Sequence, residues 1–296
     1  MEIKTLRCFL AVAELGSMTR ASEILHLSQP ALSKRISALE DELGRRLFVR
    51  HSFSLELSDD GRLLRDKAKD LVGMAARIKD AFPKGGSLAG GTVSLGLAES
   101  LQIRYLARAI RAFSSEHPGF RYHISSGDTE QVVEKLDKGL LDYAALCQLP
   151  DPDKYGYVEF PEPDVWGLVM PKGHSLAAKK SVTFEDLRPL GLFCSQQSWD
   201  QDIPRWCGSR RDELTLKGTF RLSYNGSIFV EEGMGFMLTF KGLVDSRPGL
   251  TFRPLEPPLT TPLCLIWRKD GMMAPVCAAF LECVKSCFAE TNNHKS

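Results

Sequence analysis

The sequence predicts an α/β chain with an α-rich N-terminal module: a winged helix-turn-helix, one long linker helix, and then a two-lobed α/β domain. Three observations predict it. The first 58 residues carry three runs of helical periodicity, two of them joined by a tight turn. Residues 59–82 repeat apolar side chains in a seven-residue register. From residue 92 the pattern changes to strands alternating with helices. With 296 residues, 43 % hydrophobic and 25 % charged, the chain can bury sizeable cores and is not an intrinsically disordered one.

In the first helix Leu6, Phe9, Leu10 and Ala13 share one face, and Gly16 ends it. Ser17 is an N-cap for a short second helix, Met18 to Leu25, with Ala21 and Ile24 facing inward. Ser28 caps a third helix, where Pro30 sits in the first turn because its missing N–H has no partner there. Leu32, Ile36, Leu39 and Leu43 form its inner stripe, and Gly44 closes it. Alternation around Val49, Phe53, Leu55 and Leu57 reads as a short hairpin, the wing.

Next, Leu64, Ala68, Leu71, Ala75, Ile78 and Phe82 are spaced 4, 3, 4, 3, 4. This 3.5-residue repeat predicts a self-association seam. The glycine-rich stretch 83–91 is a hinge. Boundaries therefore fall at 1–58, 59–82, 83–91 and 92–290. Lobe I is expected over about 92–160 plus 268–290, and lobe II over about 161–267. Three strands (92–97, 120–125, 141–146) alternate with two helices (100–116, 129–139), which implies parallel pairing with right-handed crossovers. In lobe II, strands are expected at 165–170, 190–194, 220–222, 235–240 and 263–267, with helices at 184–187 and 227–233 and a last helix at 273–289.

Net charge is +1, so a bulk cationic field for nucleic acid is absent and any such binding must come from local placement. Residues 1–82 carry 14 Lys and Arg against 12 Asp and Glu, a surplus too small to flag a nucleic-acid binder. Charges at Lys4, Arg7 and Glu14 interrupt the N-terminal apolar residues, so no secretory signal is expected, and the sequence holds no uncharged apolar run of about 18 residues, so no membrane-spanning helix is expected. Eight cysteines without a C-x-x-C pair point to a reducing, cytoplasmic setting. Six scattered histidines, and no H-E-x-x-H, G-x-S-x-G or Walker loop, predict no catalytic residues, no metal and no bound cofactor.

The stretch from Ala21 to Arg50 resembles the DNA-binding segment of LysR-type transcriptional regulators. It carries S-Q-P-A-L-S at 28–33, I-x-x-L-E-x-x-L-G at 36–44 and L-F-x-R at 47–50. Leu57-Ser58-x-x-Gly61 resembles the family's wing end, and weaker matches lie at Leu136-x-x-Gly139-x-Leu141-Asp142 and Val230-x-x-Gly233-x-Gly235. The resemblance covers essentially the whole chain. It implies a periplasmic-binding-protein-like effector domain, a dimer made through the linker helix, a homotetramer, an inverted-repeat operator in double-stranded DNA, and contact with RNA polymerase.

The residues support a groove-reading role independently. Gln29, Ser33, Lys34, Arg35 and Ser37 occupy the first half of the third helix, and Glu40, Asp41 and Glu42 the second. Only the first half suits phosphates, so with Ser28 and Pro30 it enters the major groove N-terminus first. Gln29 is suited to adenine and Arg35 to guanine or phosphate. Thr19, Arg20 and the wing-base Arg50 are backbone-positioning candidates, and His51 and Ser52 are weak contacts offered by the wing. In the wing, Phe53 stands where the family usually carries a basic residue, and Glu56 adds negative charge.

The resemblance also implies a small-molecule effector between the lobes. The candidates are Glu99, Ser100, Gly127, Thr129, Ser195, Gln196, Gln197, Asn225 and Phe236. Ser100 at a helix start suits a small carboxylate, whereas Glu99 argues for an amine or hydroxyl. Cys194 and Cys207 offer a redox-gated alternative, since Arg205, Arg210 and Arg211 could lower the pKa of Cys207.

Overall fold

A computed structural model of the chain describes residues 1–50, 55–81, 91–244 and 247–293. It divides into two compact units, Met1–Gly86 and Ser87–Ser296.

The first unit runs α1 (Ile3–Leu15), α2 (Met18–Ile24), α3 (Gln29–Leu43), β1 (Phe48–Arg50), β2 (Leu55–Leu57) and α4 (Asp59–Ala81). Its boundaries follow local chemistry. Gly16 and Gly44 end α1 and α3 at φ of 58° and 63°, conformations costly for any residue with a Cβ. The Ser17 hydroxyl accepts the Arg20 N–H and the Ser28 hydroxyl the Ala31 N–H, each satisfying an orphan donor. Leu6, Phe9, Val12, Ala21, Leu32, Ile36, Leu39 and Leu47 form the core, with the Phe9 and Phe48 rings 5.4 Å apart.

Two residues expected inside lie outside. Ile24 is exposed because Ala21 and Leu25 take the inward face of α2. Leu43 is exposed because the inner stripe of α3 ends at Glu40, which is buried. The Glu40 carboxylate accepts the Leu47 N–H at 2.7 Å and the Phe48 N–H at 3.3 Å, and Arg46 pairs with it at 2.9 Å. Glu40 therefore docks the wing on α3 and is not part of a solvated acidic face.

The Ser58 hydroxyl accepts the Gly61 N–H and donates to the Arg46 carbonyl, anchoring the start of α4. Gly61 permits close approach, since a Cβ there would stand 2.1 Å from the Leu47 carbonyl oxygen. The expected seam divides. Ala68 is fully buried and Leu64 half-buried against the unit's own core, because α1 packs along this part of α4. Leu71 and Ile78 are exposed together with Met74, and Ala75 is half-buried. Phe82, and most of the expected hinge, lie outside the described residues, as do His51, Ser52 and Phe53 of the wing.

The second unit begins with β3 (Thr92–Leu97), α5 (Ile103–Glu116), β4 (Arg121–Ser126), α6 (Thr129–Asp137), β5 (Tyr143–Leu146) and β6 (Tyr155–Glu159). It continues with β7 (Asp164–Pro171), β8 (Val182–Thr183), α7 (Phe184–Leu187), β9 (Gly191–Ser195), α8 (Gln196–Cys207), β10 (Thr215–Phe220) and α9 (Ser223–Glu231). Last come β11 (Phe236–Phe240), β12 (Leu250–Glu256), β13 (Thr260–Thr261), β14 (Cys264–Arg268) and α10 (Pro275–Asn293).

Two sheets result. Lobe I has the order β4-β3-β5-β14-β6, with β3, β4 and β5 mutually parallel as expected and β14 antiparallel to both neighbours. Leu106, Phe113, Phe280 and Val284 cover one face from α5 and α10, and Val132 and Leu136 of α6 cover the other. Lobe II has the order β10-β9-β11-β7-β12-β8. Ile203 of α8 packs on one face and Val230 of α9 on the other.

The expected lobe boundary at 267 moves. Strand β14 pairs with β5 and β6, so the return to lobe I is made before Cys264. Chain order alone joins it to lobe II. The strand expected at 220–222 is observed at Thr215–Phe220, and the helix expected at 227–233 at Ser223–Glu231. Helix α8 is not legible in the sequence, because its interior Pro204 and its polar sequence hide the helical period.

Candidate functional site

Most of the side chains on α2 and α3 expected to meet nucleic acid are open to solvent. Thr19, Arg20, Ser28, Gln29, Pro30, Lys34 and Arg35 are exposed, and Ser33 and Ser37 are half-buried. Arg35 is further tethered, one guanidinium nitrogen lying 3.8 Å from the buried Cys8 sulfur. Ser52 and the side chain of Arg50 lie outside the described residues.

A cleft of about 820 Å³ separates the two lobes. It opens where strands end. Glu99 follows β3 and Gly127 follows β4; Ser195 ends β9, and Phe220 and Phe240 end β10 and β11. This is the carboxyl-end placement that parallel strands favour for ligands. Glu99, Gly127, Thr129, Ser195, Gln196 and Gln197 line it as expected. Ser195 ends β9 and caps α8, its hydroxyl accepting the Ser198 N–H, and Gln196 and Gln197 open that helix.

Three expected residues lie elsewhere. Ser100 is buried off the cleft, its hydroxyl accepting the Gln102 N–H. Asn225 is exposed on α9. Phe236 packs edge-on against His174, with ring centroids 4.8 Å apart. Sequence reasoning missed the floor: Trp166, Leu238 and Phe240 are all buried, and the Trp166 and Phe240 rings lie 4.5 Å apart edge-on. Which strand residues face the cleft depends on register, which periodicity does not reveal. Beneath them Trp166 donates to Thr261, which donates to Asp202, each at 2.9 Å. Burial raises the Asp202 pKa, against the opposing pull of Thr261 and Arg205.

Three contacts bridge the lobes across the cleft. The Ser223 N–H donates to the Glu99 carboxylate at 2.6 Å. Gln197 donates to Gln148 at 3.1 Å. Arg221 lies 3.5 Å from Asp128.

A family model described as "LysR substrate binding domain" matches residues 86–289, and one described as "Bacterial regulatory helix-turn-helix protein, lysR family" matches residues 3–62. The chain belongs to the LysR family. It is a LysR-family DNA-binding transcriptional regulator with a substrate-binding domain, and modulation by an effector is typical of that family.

Among the similar proteins is the HTH-type transcriptional regulator YtlI of Bacillus subtilis, 26 % identical over 254 residues, covering 84 % of this chain and 80 % of that protein. Another is a hydrogen peroxide-inducible genes activator of Pectobacterium carotovorum, 29 % identical over 218 residues, covering 68 % of this chain and 72 % of that protein. The crystal structure of CbnR, a LysR family transcriptional regulator, has the same fold (TM-score 0.74, 22 % identity, 97 % of this chain and 99 % of that one).

For this LysR regulator the redox alternative is not favoured. Cys194 is fully buried and burial pushes its thiol well up. Burial also raises Cys207, outweighing the pull of Arg210 and Arg211, and its sulfur is spent on the Ile203 carbonyl at 3.2 Å. Both thiols are held in the protonated, unreactive form. Among the described residues no helix is long and apolar enough to cross a membrane.

Asp164 stands at the crossing from lobe I to lobe II, opposite Thr261 of the returning strand. It is fully buried and neither carboxylate oxygen makes a hydrogen bond. Burial pushes its pKa up to about 6, only tempered by nearby Ser100, Arg104 and Gln102. A raised carboxyl favours folding below its ordinary value near 3.8 and loses that contribution as pH rises through about 6. At 1.36 kcal/mol per unit this amounts to about 3 kcal/mol. Denaturant titrations between pH 4 and 6.5, a window that takes in most of that change, should show Asp164→Asn flattening the fall in stability by about 2 kcal/mol.

Proposed function

We propose that this LysR regulator binds an inverted-repeat operator as a homodimer, itself paired into a tetramer, and that a small molecule in the inter-lobe cleft alters promoter binding or bending. Helix α3 enters the major groove N-terminus first. Thr19, Arg20 and Lys34 hold phosphates while Gln29 and Arg35 read base edges. The carrying observation is the exposure of Gln29, Pro30, Lys34 and Arg35 on the capped first half of α3. The exposed Leu71, Met74 and Ile78 of α4 support self-association, since an apolar stripe on an otherwise charged helix gains by meeting its own copy. The protein works by binding and not by catalysis, in the cytoplasm, and a shift in promoter geometry is what RNA polymerase would sense.

The effector acts by population shift, which requires that it bind one lobe arrangement more tightly than another. The Glu99–Ser223, Gln197–Gln148 and Arg221–Asp128 contacts are what such a ligand would rebalance.

Quantitative footprinting of the protein's own upstream region, repeated at several salt concentrations, tests the reading. Binding should weaken steeply as salt rises. Arg35→Ala should cost about 1–3 kcal/mol of operator affinity and relax sequence preference at one position. An Arg35→Ala protein with an unaltered footprint and affinity would remove Arg35 from the interface.

A further inference from the structure

The cleft's lining indicates the charge of its ligand, an inference that rests on reading the cleft as the effector site. Five carboxylates line it (Glu99, Asp128, Glu130, Asp200 and Asp202), and Arg221 is the one cationic side chain among the described lining residues. That arginine already faces Asp128 at 3.5 Å, and from outside the lining Arg205 stands 3.5 Å from Asp202 and Arg211 3.7 Å from Asp200, so the negative charge left for a ligand is that of Glu99 and Glu130.

Three helices begin at the cleft, α6, α8 and α9, and helix starts ordinarily favour anions. Here each has a donor already taken by an oxygen of this chain. Asp128 accepts the Gln131 N–H at 2.9 Å on α6. Ser195 accepts the Ser198 N–H at 3.2 Å on α8. Glu99 accepts the first N–H of α9, that of Ser223, at 2.6 Å. Two of these three caps are carboxylates, so a carboxylate ligand would meet like charge where it most needs donors. Ser100, the residue that suited a carboxylate, is turned away from the cleft.

A cation meets the opposite situation. Glu99 offers a carboxylate at the lobe junction, the Gln148 and Gln197 amides offer polar contacts, and Trp166 and Phe240 floor the cleft. Ammonium groups are stabilised by charge-assisted hydrogen bonds to carboxylates and by aromatic faces.

We propose that the cleft takes a small primary amine with a short apolar or aromatic body, its ammonium on Glu99 and its body over Trp166, Leu238 and Phe240. The ammonium engages the same carboxylate that holds the start of α9 to lobe I. Filling the site therefore alters the Glu99–Ser223 bridge between lobes, which gives the ligand its differential affinity for lobe arrangements.

The test is calorimetric titration of the full chain with matched probes that share a skeleton: phenethylamine, tyramine and putrescine against 3-phenylpropionate, 3-(4-hydroxyphenyl)propionate and succinate. Amines should bind and the matched acids should not. Glu99→Gln should weaken the amine roughly 10- to 100-fold, and Glu99→Asp, which keeps the charge, should recover part of the loss. Binding of the acids in preference to the amines, or of no probe in either series, overturns the proposal. So does an amine that binds Glu99→Gln as it binds the parent. Gln197→Trp, at the half-buried start of α8 on the cleft wall, separates the two readings: an amine that binds this variant undiminished lies outside the cleft, which overturns the proposal and leaves the effector-site reading standing for a ligand of other chemistry.

Discussion

Replacing Glu40 with alanine is expected to detach the wing from α3, destabilise the N-terminal unit by about 3–5 kcal/mol and abolish operator binding. The carboxylate is 7 % exposed and serves the Leu47 and Phe48 N–H groups and the Arg46 guanidinium at once. Alanine leaves two buried donors with no acceptor, each costing about 1–3 kcal/mol, and opens a void beneath the strand that follows. A domain of this size has about 5–15 kcal/mol in hand, so the loss is a large share. Glu40→Gln keeps an acceptor and gives up only the charge, so it should lose less than half as much. Denaturant titration of the full chain followed by circular dichroism, with promoter binding measured alongside, checks both variants. A Glu40→Ala protein as stable as the parent would contradict the assigned role.

The second large effect is expected at the linker helix. Leu71→Asp with Ile78→Asp should break the α4 pairing, halve the mass of the assembly in light scattering, and lower operator affinity by about 100- to 10,000-fold. Leu71 is 42 % exposed and Ile78 57 %, so neither supports its own unit and both are open to a partner helix. A carboxylate in an apolar seam is desolvated without a counter-ion, a cost that disperses the pair. With the pair gone, the second half-site is no longer bound intramolecularly, and the gain from effective concentration disappears. Ala68→Asp would be uninformative here, because Ala68 is buried in its own unit and the substitution would unfold it. A double variant whose assembly mass equals the parent's would remove this stripe from the interface.

Local chemistry made much of this legible. The caps at Ser17, Ser28 and the left-handed glycines follow from single residues, and the N-terminal half of α3 follows from the separation of Lys34 and Arg35 from the acids behind them. What escaped depends on distant partners. Glu40-Asp41-Glu42 reads as one acidic face because nothing local shows that Glu40 meets the Leu47 N–H. The seven-residue repeat of α4 is real, but it does not say where one partner ends and another begins. Its early positions go to α1 and its later ones are left open. In the cleft, residues just past strand ends could be found from the strand pattern. Trp166 and Phe240 could not, since which face of an apolar strand meets the cleft is fixed by pairing across the sheet.

Strand β14 sits between β5 and β6 in lobe I, yet it is made only after all of lobe II. Lobe II is thus an insertion in the middle of its neighbour. While the ribosome is still translating residues 161–262, the nascent chain carries β5 and β6 with an unfilled slot between them. Each presents an open edge of backbone donors and acceptors, the kind of surface on which chains wrongly join one another. Lobe I cannot close on itself until the inserted lobe has been synthesised, so the last stretch of the polypeptide sets the earliest moment at which the binding domain is safe from aggregation.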